Sequence, residues 1–303
     1  MLPLKRDSLR APSSSANPEA GCFAARSKAF RVHFSLVLTA ITREVSPAIV
    51  NCELTFIARQ PIALARAEEQ HRDYQRLLEK CGARVITLPA EPALPDSMFV
   101  EDPAIVLDEL AIIFPLGTET RRAEAASIAH ALSKFRKLTR VELPGTAEGG
   151  DILRVGRRVF AGLSSRTNAE GIRQLGAILA PYGYEVISVE VTGCLHLKSA
   201  VTYIGRKQAS GSQANSATLL ANRGWFDTKP FTGFEWIDVD PGEAHAANAL
   251  AIHDTVIFPE SFPRTRARIE QRGFLVTPLD ISELQKAESG LTCSSLLFEA
   301  STV

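Results

Sequence analysis

Cys293 stands in the run Gly290-Leu291-Thr292-Cys293-Ser294-Ser295-Leu296-Leu297-Phe298, close to the end of a 303-residue chain. Ser289-Gly290 is a turn signal, and Leu296, Leu297 and Phe298 have the apolar character of a strand rooted in a core. The thiol therefore sits at the mouth of a strand, where it is either packed or reached by a ligand. A lone cysteine is most often a small buried hydrophobe. The rest of the chain weighs against that reading here. His196 lies in Cys194-Leu195-His196-Leu197-Lys198, and carboxylates lie in Pro95-Asp96 through Glu101-Asp102-Pro103 and in Glu148-Gly149-Gly150-Asp151. A thiol, an imidazole that can carry protons and carboxylates that can orient it or bind a cation form a set for covalent catalysis. Each motif has an ordinary explanation by itself. A histidine between leucines is usually a strand residue, paired glycines can make a bulge, and Glu101-Asp102 can be a solvated turn.

The elements that must bring these motifs together repeat along the chain. Residues 104–115, 152–162 and 249–259 each read as strand, tight turn, strand, and a weaker copy starts at Ala200. The starts at 104, 152, 200 and 249 are 48, 48 and 49 residues apart. The spacing of apolar residues predicts helices over 121–135, 169–182 and 263–271, each followed by a strand, at 139–143, 185–189 and 274–279. Ahead of them come a strand over 34–43, a turn at Pro47-Ala48-Ile49, a helix over 61–81 ended by Gly82, and a strand over 83–89. A ββαβ unit cannot bury its sheet face alone, so copies must pack on one another. With the N-terminal elements there are about five. The expected fold is an α/β propeller of five ββαβ units around a pseudo-five-fold axis. A blade propeller has no helices, and a doubly wound sheet lacks the hairpin in each unit. Every unit places its polar motif just before or at its first strand, so the motifs converge on the common axis. His33, His71, His130, His245 and His253 lack such a setting.

Composition bounds the function. Apolar residues are 45% and charged residues 22%, as in an ordinary globular protein. Lys+Arg and Asp+Glu are both 34, which argues against binding nucleic acid or anionic membrane through bulk charge. No apolar run reaches membrane-spanning length. The five cysteines are widely spaced with no zinc-type pattern, which fits free thiols and a cytoplasmic setting. Residues 1–33 are rich in Ser, Pro and basic residues. They are expected to be a disordered or mis-assigned leader, with a mitochondrial-type presequence as the alternative. Residues 34–300 are expected to be a single catalytic domain.

Phe99-Val100-Glu101-Asp102, Leu143 through Leu153, Gly162 through Asn168, Leu195-His196-Leu197-Lys198 and Leu291-Thr292-Cys293-Ser294 together resemble the dimethylarginine dimethylaminohydrolases. These belong to the guanidine-modifying (pentein) superfamily, with arginine deiminases and amidinotransferases. The resemblance spans about 36–298, and it implies the same five-unit propeller. It implies hydrolysis of an Nω-methylated arginine to citrulline and dimethylamine or methylamine. Cys293 would attack the guanidinium carbon, His196 would move protons, and Glu148 would orient His196. Asp96 and Asp102 match guanidinium-clamping positions, with Glu101 beside them. Arg121 and Arg166 match residues that hold the substrate carboxylate, Ile49 a lid position, and Ala287 a backbone contact to the substrate amine. No metal or organic cofactor is implied, the partner is a small guanidine, and a homodimer is compatible with the family. Pro103, Phe114 through Gly117, and Ser294 depart from the family pattern and bear on which guanidine is used. The alternatives are a deiminase or amidinotransferase acting on another guanidine, and a non-catalytic binder of a cationic ligand.

Overall fold

The computed structural model describes residues 36–208 and 215–301. The leader expected over 1–33 lies outside the described residues. The described strands form five sheets of three strands each.

The first unit holds β1 (Leu36–Arg43), α1 (Leu64–Lys80) and β2 (Arg84–Leu88). Gly82, with φ of +90°, lets the chain leave α1 in the left-handed region and turn into β2. The second unit holds β3 (Ala104–Val106), β4 (Ala111–Ile113), α2 (Glu124–Leu132) and β5 (Leu138–Arg140). The third holds β6 (Ile152–Val155), β7 (Arg158–Leu163), α3 (Ala169–Leu179) and β8 (Glu185–Glu190). The fourth opens with the short α4 (Leu197–Ala200) and continues through β9 (Val201–Gln208), β10 (Asn215–Ala221) and β11 (Glu235–Asp238). The fifth holds β12 (Leu250–Ile252), β13 (Thr255–Pro259), α5 (Pro263–Gln271) and β14 (Leu275–Leu279). After α6 (Ser282–Gln285) the chain ends in β15 (Leu296–Ser301).

In each sheet the middle strand pairs antiparallel with the first and parallel with the third. A parallel pair needs a crossover, and in four units a helix supplies it. The fourth unit uses residues 222–234, which carry turns and no helix. Aromatic rings do the packing there. Phe231 stacks on Phe160 at 4.1 Å between centroids, and Phe226 and Trp236 meet Phe231 edge-on at 5.3 and 5.8 Å. The sequence reading of one continuous helix over 121–135 is divided in the structure. A 3-10 turn at Glu119–Arg121 precedes α2. The break separates Arg121, drawn inward by acidic partners, from the amphipathic helix behind it.

The first sheet is completed from the far end of the chain, because β15 pairs antiparallel with β1 from Leu36↔Ser301 to Ile41↔Leu296. Burial follows the same circular order. Five apolar clusters each draw on two successive units, and one joins the fifth to the first: Leu250, Ile252 and Ile257 pack with Ala40, Ile49, Tyr74 and Leu78. No unit has a core of its own, as the repeat argument requires. Cys52, Cys81, Cys194 and Cys293 are free thiols. Among the described residues no helix is long and apolar enough to cross a membrane.

Candidate active site

The polar motifs do meet. A small cleft is lined by Asp96, Asp102, Arg121, Arg166, His196, Ala287 and Cys293, with Glu53, Phe99, Leu195, Glu288 and Ser289. Asp96 and Asp102 come from the turns leading into β3. Glu148 sits behind the cleft as the residue before the 3-10 turn Gly149–Asp151, which runs into β6. Arg166 lies in the turn between β7 and α3, which Asn168 caps by accepting the Gly171 N–H at 2.8 Å. His196 is the cap residue of α4, and Cys293 is the middle residue of the turn Thr292–Ser294 ahead of β15.

Glycine is required between Glu148 and Asp151. A Cβ on Gly150 would lie 2.6 Å from His196 Nδ1 and 2.7 Å from its Cγ, and one on Gly149 would lie 2.0 Å from the Glu101 carbonyl oxygen. The glycines are there for close approach and not for a bulge. His196 Nε2 is 2.7 Å from Glu148 Oε2, and Glu148 Oε1 accepts the Gly117 N–H at 3.1 Å. Glu148 is fully buried and His196 nearly so. Burial works against the charged imidazole, but the charges of Asp102, Glu148 and Asp151 and the bond to Glu148 outweigh it and raise its pKa. Burial likewise works against the Glu148 carboxylate, and its bond to His196 together with the charges of His196, Arg121 and Arg166 more than offsets that. Both influences favour the imidazolium–carboxylate form of the pair.

Cys293 is partly exposed. Burial, then the charges of Glu101 and Asp102, push its thiol up to about 12; the Gly290 N–H, 3.4 Å from Sγ, and the Ser289 hydroxyl act the other way. These influences favour the thiol form of Cys293. Arg121 is 4% exposed, and its donors are committed to protein carboxylates. Nε and Nη2 form a fork on Glu124 at 3.0 and 2.9 Å, and Nη1 donates to Asp102 Oδ2 at 2.9 Å. Arg166 differs. Its Nη2 donates to Thr55 Oγ1 at 3.1 Å, while Nη1 is buried without a hydrogen-bond partner and stands 3.7 Å from Glu148 Oε1. Asp102 Oδ1 is also buried and unpartnered. The cleft thus holds one unsatisfied donor and one unsatisfied acceptor, a setting for a ligand with an anionic and a cationic end.

Two residues expected to meet substrate lie elsewhere. Ile49 is fully buried in the cluster between the fifth and first units and does not line the cleft. Glu101 points its carboxylate the other way, to Lys198 and to Thr292 Oγ1 at 2.8 Å, and lines a separate central cavity of about 590 Å³. Asp96 lines the cleft with both oxygens near the Glu53 N–H, at 3.1 and 3.3 Å.

Several residues had no role in the sequence reading. Asp151, fully buried, accepts from Ser164 and Thr167 hydroxyls at 2.7 Å and from the Leu197 N–H at 2.9 Å, so it ties the glycine turn to the histidine segment. Asn248 precedes β12 as the other motifs precede their strands, and the 48-residue phase is the signal that points to it. Glu288, with φ of +57°, accepts the Thr55 and Phe56 N–H groups at 2.7 and 2.9 Å and so holds that segment at the cleft. Asp102, Glu148 and His196 bring three ligand atoms within 4.8 Å of one another, close enough for a metal ion. The Arg121 guanidinium, 2.9 Å from Asp102 and 3.9 Å from Glu148, already supplies the positive charge these carboxylates face.

The family profile described as N,N dimethylarginine dimethylhydrolase, eukaryotic, matches residues 55–210. The N(G),N(G)-dimethylarginine dimethylaminohydrolase of Pseudomonas aeruginosa is 40% identical over 237 residues, 77% of this chain and 89% of that protein. The Streptomyces coelicolor enzyme of the same name is 31% identical over 258 residues, 85% of this chain and 95% of its own. Among solved structures, a Cys-to-Ser variant of the P. aeruginosa enzyme complexed with citrulline superposes with a TM-score of 0.79 at 35% identity, covering 87% of this chain and all of that one. A dimethylarginine dimethylaminohydrolase His-to-Gly variant, an adduct with S-methyl-L-thiocitrulline, gives 0.78 at 35% identity, covering 86% of this chain and all of that one. The N-terminal domain of a cyanobacterial arginine dihydrolase shares the fold, with a TM-score of 0.71 at 19% identity over 86% of this chain and 97% of that one. With the profile spanning half its length and relatives this close over most of the remainder, the chain belongs to the dimethylarginine dimethylaminohydrolase family.

Proposed function

We propose that this protein hydrolyses Nω-methylated arginines to citrulline and a methylated amine, with Cys293 as nucleophile, His196 as proton carrier and Glu148 as its partner. The observation that carries the reading is the pair of buried unsatisfied atoms in one cleft beside the thiol, Asp102 Oδ1 and Arg166 Nη1. A guanidinium cation satisfies the first and an amino-acid carboxylate the second. Arg121 fixes Asp102 and adds positive charge, while Asp96 and the Ala287 backbone border the remaining ends of the substrate.

The chemistry follows from the charges. Glu101 and Asp102 oppose a thiolate, and a bound guanidinium brings a compensating positive charge. Binding therefore favours loss of the thiol proton to solvent at the moment the target carbon arrives. The thiolate attacks that carbon and forms the C–S bond. The His196 imidazolium gives its proton to the methylated nitrogen, the C–N bond breaks and the amine leaves. Neutral His196 then takes a proton from water as the oxygen attacks the thiouronium carbon. The C–S bond breaks, the thiolate returns and citrulline is released. These steps consume only water.

The five sheets and the circular sharing of apolar clusters support a five-unit α/β propeller spanning 34–300 as one catalytic domain. The free thiols suit a reducing, cytoplasmic compartment. Purified protein assayed for citrulline with dimethylarginine, monomethylarginine and arginine tests the reading. Citrulline from the methylated substrates is expected. A preference for arginine would move the protein to a deiminase, and binding of citrulline with no turnover of any substrate would leave a binder.

A further inference from the structure

Directly behind the nucleophile is a second polar cluster that faces the central cavity and not the cleft. The Glu101 N–H donates to the Cys293 carbonyl at 3.2 Å, so Glu101 is attached to the backbone of the reacting residue. Glu101 is buried, and its carboxylate accepts the Thr292 hydroxyl at 2.8 Å and is paired with the Lys198 ammonium. Asn248 closes the cluster. Its Nδ2 donates to the Lys198 carbonyl and to Thr292 Oγ1, both at 3.0 Å, and its Oδ1 accepts the Thr292 N–H at 3.1 Å. A Cβ on Gly290 would lie 2.4 Å from Asn248 Cγ, so the start of the nucleophile loop is fitted against this amide. Four segments, ahead of β3, β9, β12 and β15, supply one residue or more each.

We propose that Lys198 is a positioning residue for the nucleophile, holding Glu101 as an ion pair so that the carboxylate anchors the Cys293 turn while opposing the thiolate less than an unpaired carboxylate would. The inference rests on Cys293 being the nucleophile.

The other charged groups around Cys293 have partners of their own. Asp102 has Arg121, Glu148 has His196, Glu288 has the Thr55 and Phe56 amides, and Asp96 has the Glu53 amide. Glu53 accepts from Thr120, and Arg166 donates to Thr55. Tyr74 on α1 stands behind the turn, hydrogen-bonded to Ser295 at 2.7 Å. Glu101 depends on Lys198 for positive charge. Burial lifts its carboxyl, and Lys198 is the leading influence holding it ionised.

The test is the rate of alkylation of Cys293 by iodoacetamide, mapped to its peptide and measured at one fixed, mildly alkaline pH, where the rate follows the thiolate fraction. Four variants of the full chain are compared with wild type: Lys198→Met, Lys198→Arg, Glu101→Gln, and Glu101→Gln with Lys198→Met. Loss of the ammonium should lower the rate roughly tenfold, the size expected when a neighbouring charge is lost. Glu101→Gln should raise it, the double variant should return close to wild type, and Lys198→Arg should remain there. An unchanged rate in Lys198→Met, or a double variant as slow as Lys198→Met, overturns the proposal. If Lys198→Met does not fold, Glu101→Gln decides alone: no rise in rate overturns it. The nucleophile assignment is judged separately, since hydrolysis that survives complete alkylation of Cys293 refutes that assignment whatever the rates do.

Discussion

Replacing Glu148 by glutamine should slow amine release and make the loss depend on pH. Glu148 Oε2 faces the His196 ring and Oε1 faces the Gly117 N–H, so both oxygens meet donors. A glutamine must turn its NH₂ toward one of them. It loses the negative charge that favours the imidazolium, and it places donor against donor on one side. A charge-assisted hydrogen bond contributes about 1.5–3 kcal/mol. At about 1.36 kcal/mol per pKa unit, His196 should titrate about one to two units lower than in wild type. The sign follows from the raised wild-type value, which keeps the ring protonated at neutral pH. With a lower value the ring is neutral there and the departing amine lacks its acid. Single-turnover release of dimethylamine at pH 8 should fall roughly two- to tenfold, in step with the protonated fraction of His196, and recover toward wild type as pH drops. The same linkage applies to stability. The part that His196 contributes is fully present below about pH 6.5, its unfolded value, and is lost as pH rises through the raised folded value. Urea midpoints of wild type should therefore exceed those of Glu148→Gln by more at pH 6 than at pH 10. A pH-independent loss of rate, or an unshifted alkaline limb, refutes the reasoning.

Cys293→Ser should abolish citrulline formation while citrulline still binds, because a hydroxyl ionises far less readily than a thiol; turnover near wild type in this variant, or a trapped adduct mapped to Cys194, rules out the assignment. Gly150→Ala drives a methyl group into the His196 ring, at 2.6 Å from Nδ1, and should lower activity at least a hundredfold with the fold checked by circular dichroism; an active, folded variant contradicts the close-approach argument. Agmatine, which lacks the carboxylate, should have kcat/KM roughly ten- to a hundredfold below that of dimethylarginine, the effect of one charge-assisted contact at Arg166. Arg166→Ala should narrow that gap; a gap of unchanged size in the variant assigns the carboxylate to another residue.

The sequence by itself determined the modular architecture and which polar motifs the fold brings together. Period-two apolar runs and turn residues recur at a spacing of about 48, and they locate β3, β6, β9 and β12 to within a residue, because strand alternation and turn chemistry are local properties. The motif phase located Cys293, His196, Glu148 and Asp102 for the same reason. The tertiary structure decided which polar group faces which. Glu101 and Asp102 are neighbours, yet one carboxylate enters the central cavity and the other the cleft, because adjacent residues in a tight turn point different ways. Arg121 is bound to Asp102 and Glu124, a pairing that exists only once α2 docks. Ile49 is buried by the fifth unit, some 200 residues later in the chain. The return of β15 to β1 across some 260 residues closes the first sheet, and with it the Cys293 turn reaches the carboxylates and the histidine. Such contacts depend on the exclusion of water from several units at once, so no local window of sequence contains them.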